Sequence, residues 1–223
     1  RRISFEEFLF FQISVIKRRM NIKARPGVKH HLDDGFLIKF KKGFPFAFTK
    51  AQDQAIADIL ADMQKSSPML RLLQGDVGCG KTVVALMGCL AAFANNKQAA
   101  FMAPTEILAR QHFATIQTTL SQGEFKKIRC ALFVGSLPEN EKIKLRKQVE
   151  TGTIDLLIGT HALLSEDLKF KKLSYIVIDE QHKFGVRQRA FLSAKGVNPD
   201  ILVMTATPIP LTLSLTLFGD LDV

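Results

Sequence analysis

Gly75-Asp-Val-Gly-Cys-Gly-Lys81-Thr82 fits the pattern G-x-x-x-x-G-K-[S/T] at every defined position. It follows a short apolar run, Leu70–Leu73, and opens a helical pattern at about 81–94, the strand–loop–helix context in which such a loop holds phosphate. The glycines let backbone amides curl around an anion, and the helix N-terminus adds a favourable dipole. Lys81 supplies a point charge for the β and γ phosphates, and Thr82 a hydroxyl for Mg2+. Gly75, Asp76, Val77, Gly78, Cys79, Gly80, Lys81 and Thr82 are therefore the candidate phosphate cradle. A chance match in a chain this long has a probability on the order of 1%. A plain glycine-rich turn would also lack the strand before it and the helix after it. Cys79 reads as a small filler in this loop, where a thiol modifier would block the site.

Working outward, the loop sits in an alternation of short apolar runs and helical patterns. Strands are predicted at Leu70–Leu73, Ala99–Met102, Ile128–Phe133, Ile154–Ile158, Tyr175–Ile178 and Ile201–Met204, and helices at about 50–64, 81–94, 105–120 and 138–150. Continuously apolar strands separated by helices predict an α/β fold with a mostly parallel sheet covered on both faces. Ligands of such sheets bind at the carboxyl ends of the strands, and the polar motifs fall in those loops. Ile176-Val-Ile-Asp179-Glu180-Gln-His182 is an apolar strand ending in two carboxylates, about 100 residues after the phosphate loop. Asp179 is the candidate Mg2+ ligand and Glu180 the residue that polarises an attacking water, the division of labour that phosphoryl transfer needs. Thr205-Ala206-Thr207-Pro208 follows the next strand; alone it is an ordinary turn with proline near the first helical position, but as the third in this order it reads as a motif.

The 223 residues, 47% of them hydrophobic, are enough for a substantial core. No apolar run is long enough for a membrane-spanning helix, and no secretory signal is present. The first residue, Arg1, suggests an internal piece of a longer protein. Three scattered cysteines fit a reduced compartment better than a disulfide scaffold, and the adjacent His30 and His31 suit a loop better than a chelate. The net charge of +10 is uneven: residues 1–50 carry 12 Lys/Arg against 4 Asp/Glu, and the remainder 19 against 17. Such a basic first quarter attracts polyanions, with a solvated linker face as the plain alternative. Residues 3–20 predict one amphipathic helix with Phe5, Leu9, Ile13, Ile16 and Met20 on a face and a possible capping box from Ser4 and Glu7. Residues 21–45 read as a connector.

Taken together, Gly75–Thr82, Ala103-Pro-Thr-Glu106-Ile-Leu-Ala-Arg-Gln111-His112, Gly159-Thr160-His161-Ala162-Leu163, Asp179–His182 with Lys183-Phe-Gly-Val186, and Met204–Leu213 resemble the successive motifs of the RecG family of superfamily 2 helicases. The resemblance runs through Phe218-Gly-Asp-Leu-Asp222 and back to Phe46-Ala-Phe-Thr49-Lys-Ala-Gln52. It implies a RecA-like lobe over residues 46–223, preceded over 1–45 by a linker helix and basic connector from an upstream wedge-type domain. It further implies ATP with Mg2+ as cofactors, Gln52 as the adenine reader, and Lys81, Asp179, Glu180 and His182 as catalytic residues. Pro104, Thr105, Thr160 and His161 would line the DNA path, where threonine hydroxyls position a phosphate backbone without reading its sequence. Thr205, Ala206 and Thr207 would couple nucleotide state to grip, while His112 is given no catalytic role.

The activity implied is a DNA translocase that remodels stalled forks and junctions in the bacterial cytoplasm at the nucleoid, with a second RecA-like lobe as partner and no membrane. Without that lobe's arginine the chain by itself is expected to be nearly inactive. Leu211 stands where the family usually has arginine, and Lys183 where it often does. The alternatives are a duplex translocase of the transcription-repair coupling type, which tends to have Asp-Glu-Glu-His in place of Asp179–His182, and a non-catalytic binding module, against which an intact Lys81, Thr82, Asp179 and Glu180 argue.

Overall fold

The computed structural model describes residues 24–33, 35–121, 123–179 and 194–206, together with residues 6, 9, 10, 12–14, 16, 17 and 20. Six strands form one sheet: β1 (Leu70–Gln74), β2 (Gln98–Met102), β3 (Cys130–Phe133), β4 (Leu156–Gly159), β5 (Leu173–Ile178) and β6 (Asp200–Thr205), in the order β1-β6-β5-β2-β4-β3. Every pairing is parallel. The four inner strands are buried along their whole length, whereas the edge strands β1 and β3 are only partly so. That is the pattern expected of a parallel sheet with both faces covered. All six strands and the four helical patterns of the sequence are present.

The period of two along each strand divides the core into two halves. Phe101, Tyr175, Val177, Leu202 and Met204 face the layer of helices Lys50–Met63 and Lys81–Ala94. Ala100, Met102, Ile176, Ile178, Ile201 and Val203 pack on the other side with Val149, Leu163 and Leu168. Helix Lys81–Ala94 is buried without a break from Val84 to Ala92, which explains its nearly unbroken apolar sequence. Its Gly88 lies against the Tyr175 ring, so that a Cβ there would sit 2.5 Å from the hydroxyl and 2.7 Å from Cε1.

The connector is more structured than its sequence suggests. Phe36–Lys42 forms a short helix that delivers Phe40 and Phe44 into the core beside Phe48 and Phe125. Two turns are too short to show a clear helical period in the sequence, and no side chain caps the start of this helix. His30, 1% exposed, lies with Nε2 3.0 Å from Ser174 Oγ and Nδ1 3.3 Å from both Asp200 Oδ2 and the Met63 carbonyl. Burial pushes the Asp200 carboxyl above the usual carboxylate range, against the lowering effect of its bonds from His30 and the Met69 amide. Ser174, His30 and Asp200 thus stand in the order of a hydrolytic triad. All three are at most 1% exposed, and Ser174 and Asp200 sit at the amino ends of their strands, so the cluster is a buried latch. Near the chain start the described residues are helical, and Leu9, Phe10, Ile13, Ile16 and Met20 are exposed. The proposed capping box of Ser4 and Glu7 lies outside the described residues. Among the described residues no helix is long and apolar enough to cross a membrane, and no group of side chains could hold a metal through His, Cys, Asp and Glu alone.

Candidate nucleotide site

Strand order places the candidate residues side by side at the carboxyl edge of the sheet. Gly75 leaves β1 and donates its amide to the Thr205 carbonyl at the end of the neighbouring β6 (3.2 Å). Next comes β5, whose following residue Asp179 donates its amide to the Met102 carbonyl of β2 (2.9 Å). Ala103, just beyond β2, donates to the Gly159 carbonyl of β4 (2.8 Å). The phosphate loop, Thr205-Ala206, Asp179, Pro104-Thr105 and Thr160-His161 therefore follow one another along one edge, where α/β sheets bind ligands.

The phosphate loop owes its shape to glycines that no other residue could replace without strain. Gly78 and Gly80 have φ of +82° and +88°. Gly80 is also the N-cap of helix Lys81–Ala94 and supplies no capping side chain, so the Lys81 and Thr82 amides remain for an anion. Lys81 Nζ donates to the Gly75 and Asp76 carbonyls (2.6 and 2.8 Å), which holds the ammonium over the loop.

Gln52 braces the loop from outside. The Thr49 hydroxyl caps helix Lys50–Met63 by accepting from the Gln52 amide (3.2 Å), and Gln52 Oε1 in return accepts from the Thr49 amide (2.9 Å). The other end of the same side chain, Nε2, donates to the Cys79 carbonyl (2.9 Å). A capping box and a strut for the loop are thus combined in one residue. Each side-chain atom retains one further bond, a lone pair on Oε1 and a hydrogen on Nε2.

Thr82 and Asp179 are bridged by His112, whose place in the sequence suggested no catalytic role. His112 Nε2 is 2.8 Å from Asp179 Oδ2, and its Nδ1 is 3.4 Å from Thr82 Oγ1. The ring rests on Phe101, centroids 4.7 Å apart, and is 15% exposed. One hydroxyl and one carboxylate flanking the same imidazole beside the phosphate loop are oxygen donors of the kind that suit Mg2+ beside nucleotide phosphates. The sequence carried no signal for the bridge, because a histidine two turns into a helix looks like a packed or surface ring.

Thr105 is the N-cap of helix Glu106–Leu120, and its hydroxyl accepts from the Leu108 amide (3.3 Å). Thr160 opens a single 3-10 turn, His161–Leu164, without a side-chain cap bond, and His161 is exposed. Thr205 is buried at the end of β6 with Ala206 after it. Glu180, His182, Lys183, Thr207, Pro208 and Leu211 lie outside the described residues.

The three thiols differ sharply. Cys79 is exposed, whereas burial pushes the Cys130 thiol up to about 12 and the Cys89 thiol further. N-ethylmaleimide is therefore expected to label Cys79 first among the three, since the thiolate is the nucleophile. A bound nucleoside triphosphate should protect it. Peptide mapping by mass spectrometry checks both; prior labelling of Cys89 or Cys130 would contradict the placement.

Comparison with known proteins agrees with this arrangement. Residues 49–214 match the family model described as DEAD/DEAH box helicase. The whole chain aligns at 44% identity with the ATP-dependent DNA helicase RecG of Aquifex aeolicus and at 46% with that of Streptococcus pneumoniae, covering 28% and 33% of those proteins. The chain thus spans about a third of the length of the curated relatives it matches. A solved structure of RecG bound to a three-way DNA junction superposes with a TM-score of 0.86 at 41% identity, covering 99% of this chain and 29% of that one. The DEAD-box helicase Mss116 bound to single-stranded RNA shares the fold, with a TM-score of 0.62 at 21% identity over 83% of this chain and 41% of that one.

Proposed function

Because the chain belongs to the DEAD/DEAH box helicase family, we propose that it is the ATP-binding lobe of a DNA-dependent ATPase that translocates on duplex DNA and remodels branched DNA in recombination and repair. The observation that carries this reading is the placement of the phosphate loop, Asp179 and the Thr105 and Thr160 segments on successive strand ends of one parallel sheet. The likeness of this whole chain to part of the RecG proteins, one of them solved on a three-way junction, supports branched DNA as the track.

The amides of Gly75–Thr82 and the Lys81 ammonium, held over the loop by the Gly75 and Asp76 carbonyls, would hold the phosphates of ATP. The second hydrogen and lone pair of Gln52 match the acceptor and donor of the adenine edge. Thr82 and Asp179 would hold Mg2+, which would supply the charge neutralisation that phosphoryl transfer needs. Glu180 orients the attacking water, and His182 completes the motif. Pro104, Thr105, Thr160 and His161 meet the DNA backbone, and Thr205-Ala206-Thr207 relays nucleotide state to that grip. Residues 1–45 link the lobe 46–223 to an upstream wedge-type domain, anchored through His30, Phe40 and Phe44. A second RecA-like lobe completes the ATP site, and the protein works on the bacterial chromosome in the cytoplasm. The RecG likeness favours this over a coupling-factor translocase.

The test is strand rearrangement by the full-length protein. With Mg2+ and ATP, a labelled model fork should be converted to rearranged duplex products on a native gel, and a linear duplex of equal length should not. Absence of ATP-dependent fork conversion would overturn the reading.

A further inference from the structure

We propose that His112 is a positioning residue that presets Thr82 and Asp179 for the metal ion of the nucleotide, an inference that rests on the ATP-motor reading above. An ionised carboxylate only accepts, so His112 Nε2 carries the hydrogen donated to Asp179 Oδ2 at 2.8 Å. In the neutral ring Nδ1 is then an acceptor, and the group placed to donate to it is the Thr82 hydroxyl at 3.4 Å. This direction of donation matters to a cation. Thr82 turns its hydrogen toward His112 and keeps its lone pairs for the metal. Asp179 has one oxygen occupied by the imidazole and the other left for the hydration shell of the ion. A carboxylate and a hydroxyl from distant parts of the chain are thus oriented by one ring, in the manner of the outer partners that orient metal ligands elsewhere.

The ring is itself held. Phe101, fully buried in β2, packs against its face with centroids 4.7 Å apart, and the imidazole is only 15% exposed. His112 also stands on the helix that Thr105 caps, so the ring that contacts the metal pair and the segment proposed to meet DNA belong to one helix. A ring that served packing alone would need neither nitrogen. Here both are directed to the two oxygen donors of the site.

The test uses the full-length protein and a fluorescent ADP analogue, with affinity measured in Mg2+ and again in EDTA. Wild type is expected to bind more tightly in Mg2+. His112→Phe keeps a ring on Phe101 but loses both nitrogens; it should lose about tenfold of the Mg2+-dependent tightening while its affinity in EDTA, set by Lys81 and the loop amides, stays within about twofold. His112→Gln, which retains a donor for Asp179, should recover part of the loss. Should His112→Phe unfold early, His112→Leu takes the same comparison. Full Mg2+-dependent tightening in the ring-deleted variant overturns the proposal. So does an equal weakening in Mg2+ and EDTA, the mark of a packing role. Absence of any nucleotide binding by wild type would instead sink the ATP reading on which the proposal rests.

Discussion

Replacing Lys81 with alanine in the full-length protein is expected to lower DNA-stimulated ATP hydrolysis by about 10²–10³-fold or more, the loss typical of removing one donor from a charge-stabilising site. Two effects add. The ammonium proposed to neutralise the β and γ phosphates disappears, and so do its bonds to the Gly75 and Asp76 carbonyls, which tie the loop across its own mouth. The loop otherwise keeps its shape, because the positive φ of Gly78 and Gly80, the Gly75 amide bond to Thr205 and the brace from Gln52 do not involve Lys81. The melting temperature without nucleotide should therefore change little while steady-state ATPase collapses. Retained ATPase in Lys81→Ala would mean that the loop is not the site.

The largest effect on stability is expected at Gly88. Alanine in a helix interior is ordinarily favoured over glycine by about 1 kcal/mol. Here the added methyl would meet the Tyr175 Cζ in direct overlap, with the hydroxyl 2.5 Å and Cε1 2.7 Å away, on a ring that is wholly buried between helix and sheet. Overpacking of this kind is destabilising by typically about 1–3 kcal/mol, and a rigid ring against a central helix belongs at the upper end. The Gly88→Ala protein should unfold earlier in the thermal transition that nucleotide shifts, which marks the transition of this lobe.

Tyr175 offers the complementary change. Its hydroxyl is buried without a hydrogen-bond partner among the described residues, and burial pushes the phenol well above its usual range. Tyr175→Phe removes an unsatisfied polar group and is expected to be neutral or to stabilise by up to about 1 kcal/mol. Combined with Gly88→Ala it should restore part of the loss, because the oxygen is one of the atoms in the way. A higher transition temperature for Gly88→Ala alone would contradict this account of the packing.

Much of this architecture was legible from the residues, and for specific reasons. Strands such as Leu173–Ile178 are apolar at every position because both faces are covered, so they stand out as runs bounded by polar loops. The phosphate loop was legible because its glycines answer a backbone requirement and its Lys-Thr a chemical one. Sheet order was not legible: that β5 lies between β6 and β2 follows from packing across the chain, and it is this order that seats Asp179 between Thr205 and Pro104. The His112 bridge was hidden for the same reason, since its partners Thr82 and Asp179 are 30 and 67 residues away. The helix Phe36–Lys42 and the buried His30 were missed because a short, basic, glycine-containing stretch looks like solvent-exposed linker until the pocket that receives Phe40 and His30 is known.

The central claim, an ATP-driven motor on branched DNA, is tested most directly by the ATPase rate of the full-length protein with forked DNA, linear duplex, single strands and RNA, beside the Lys81→Ala control. The account predicts strong stimulation by forked DNA over linear duplex, lost in the control. Equal stimulation by any duplex, or stimulation by RNA alone, would contradict it.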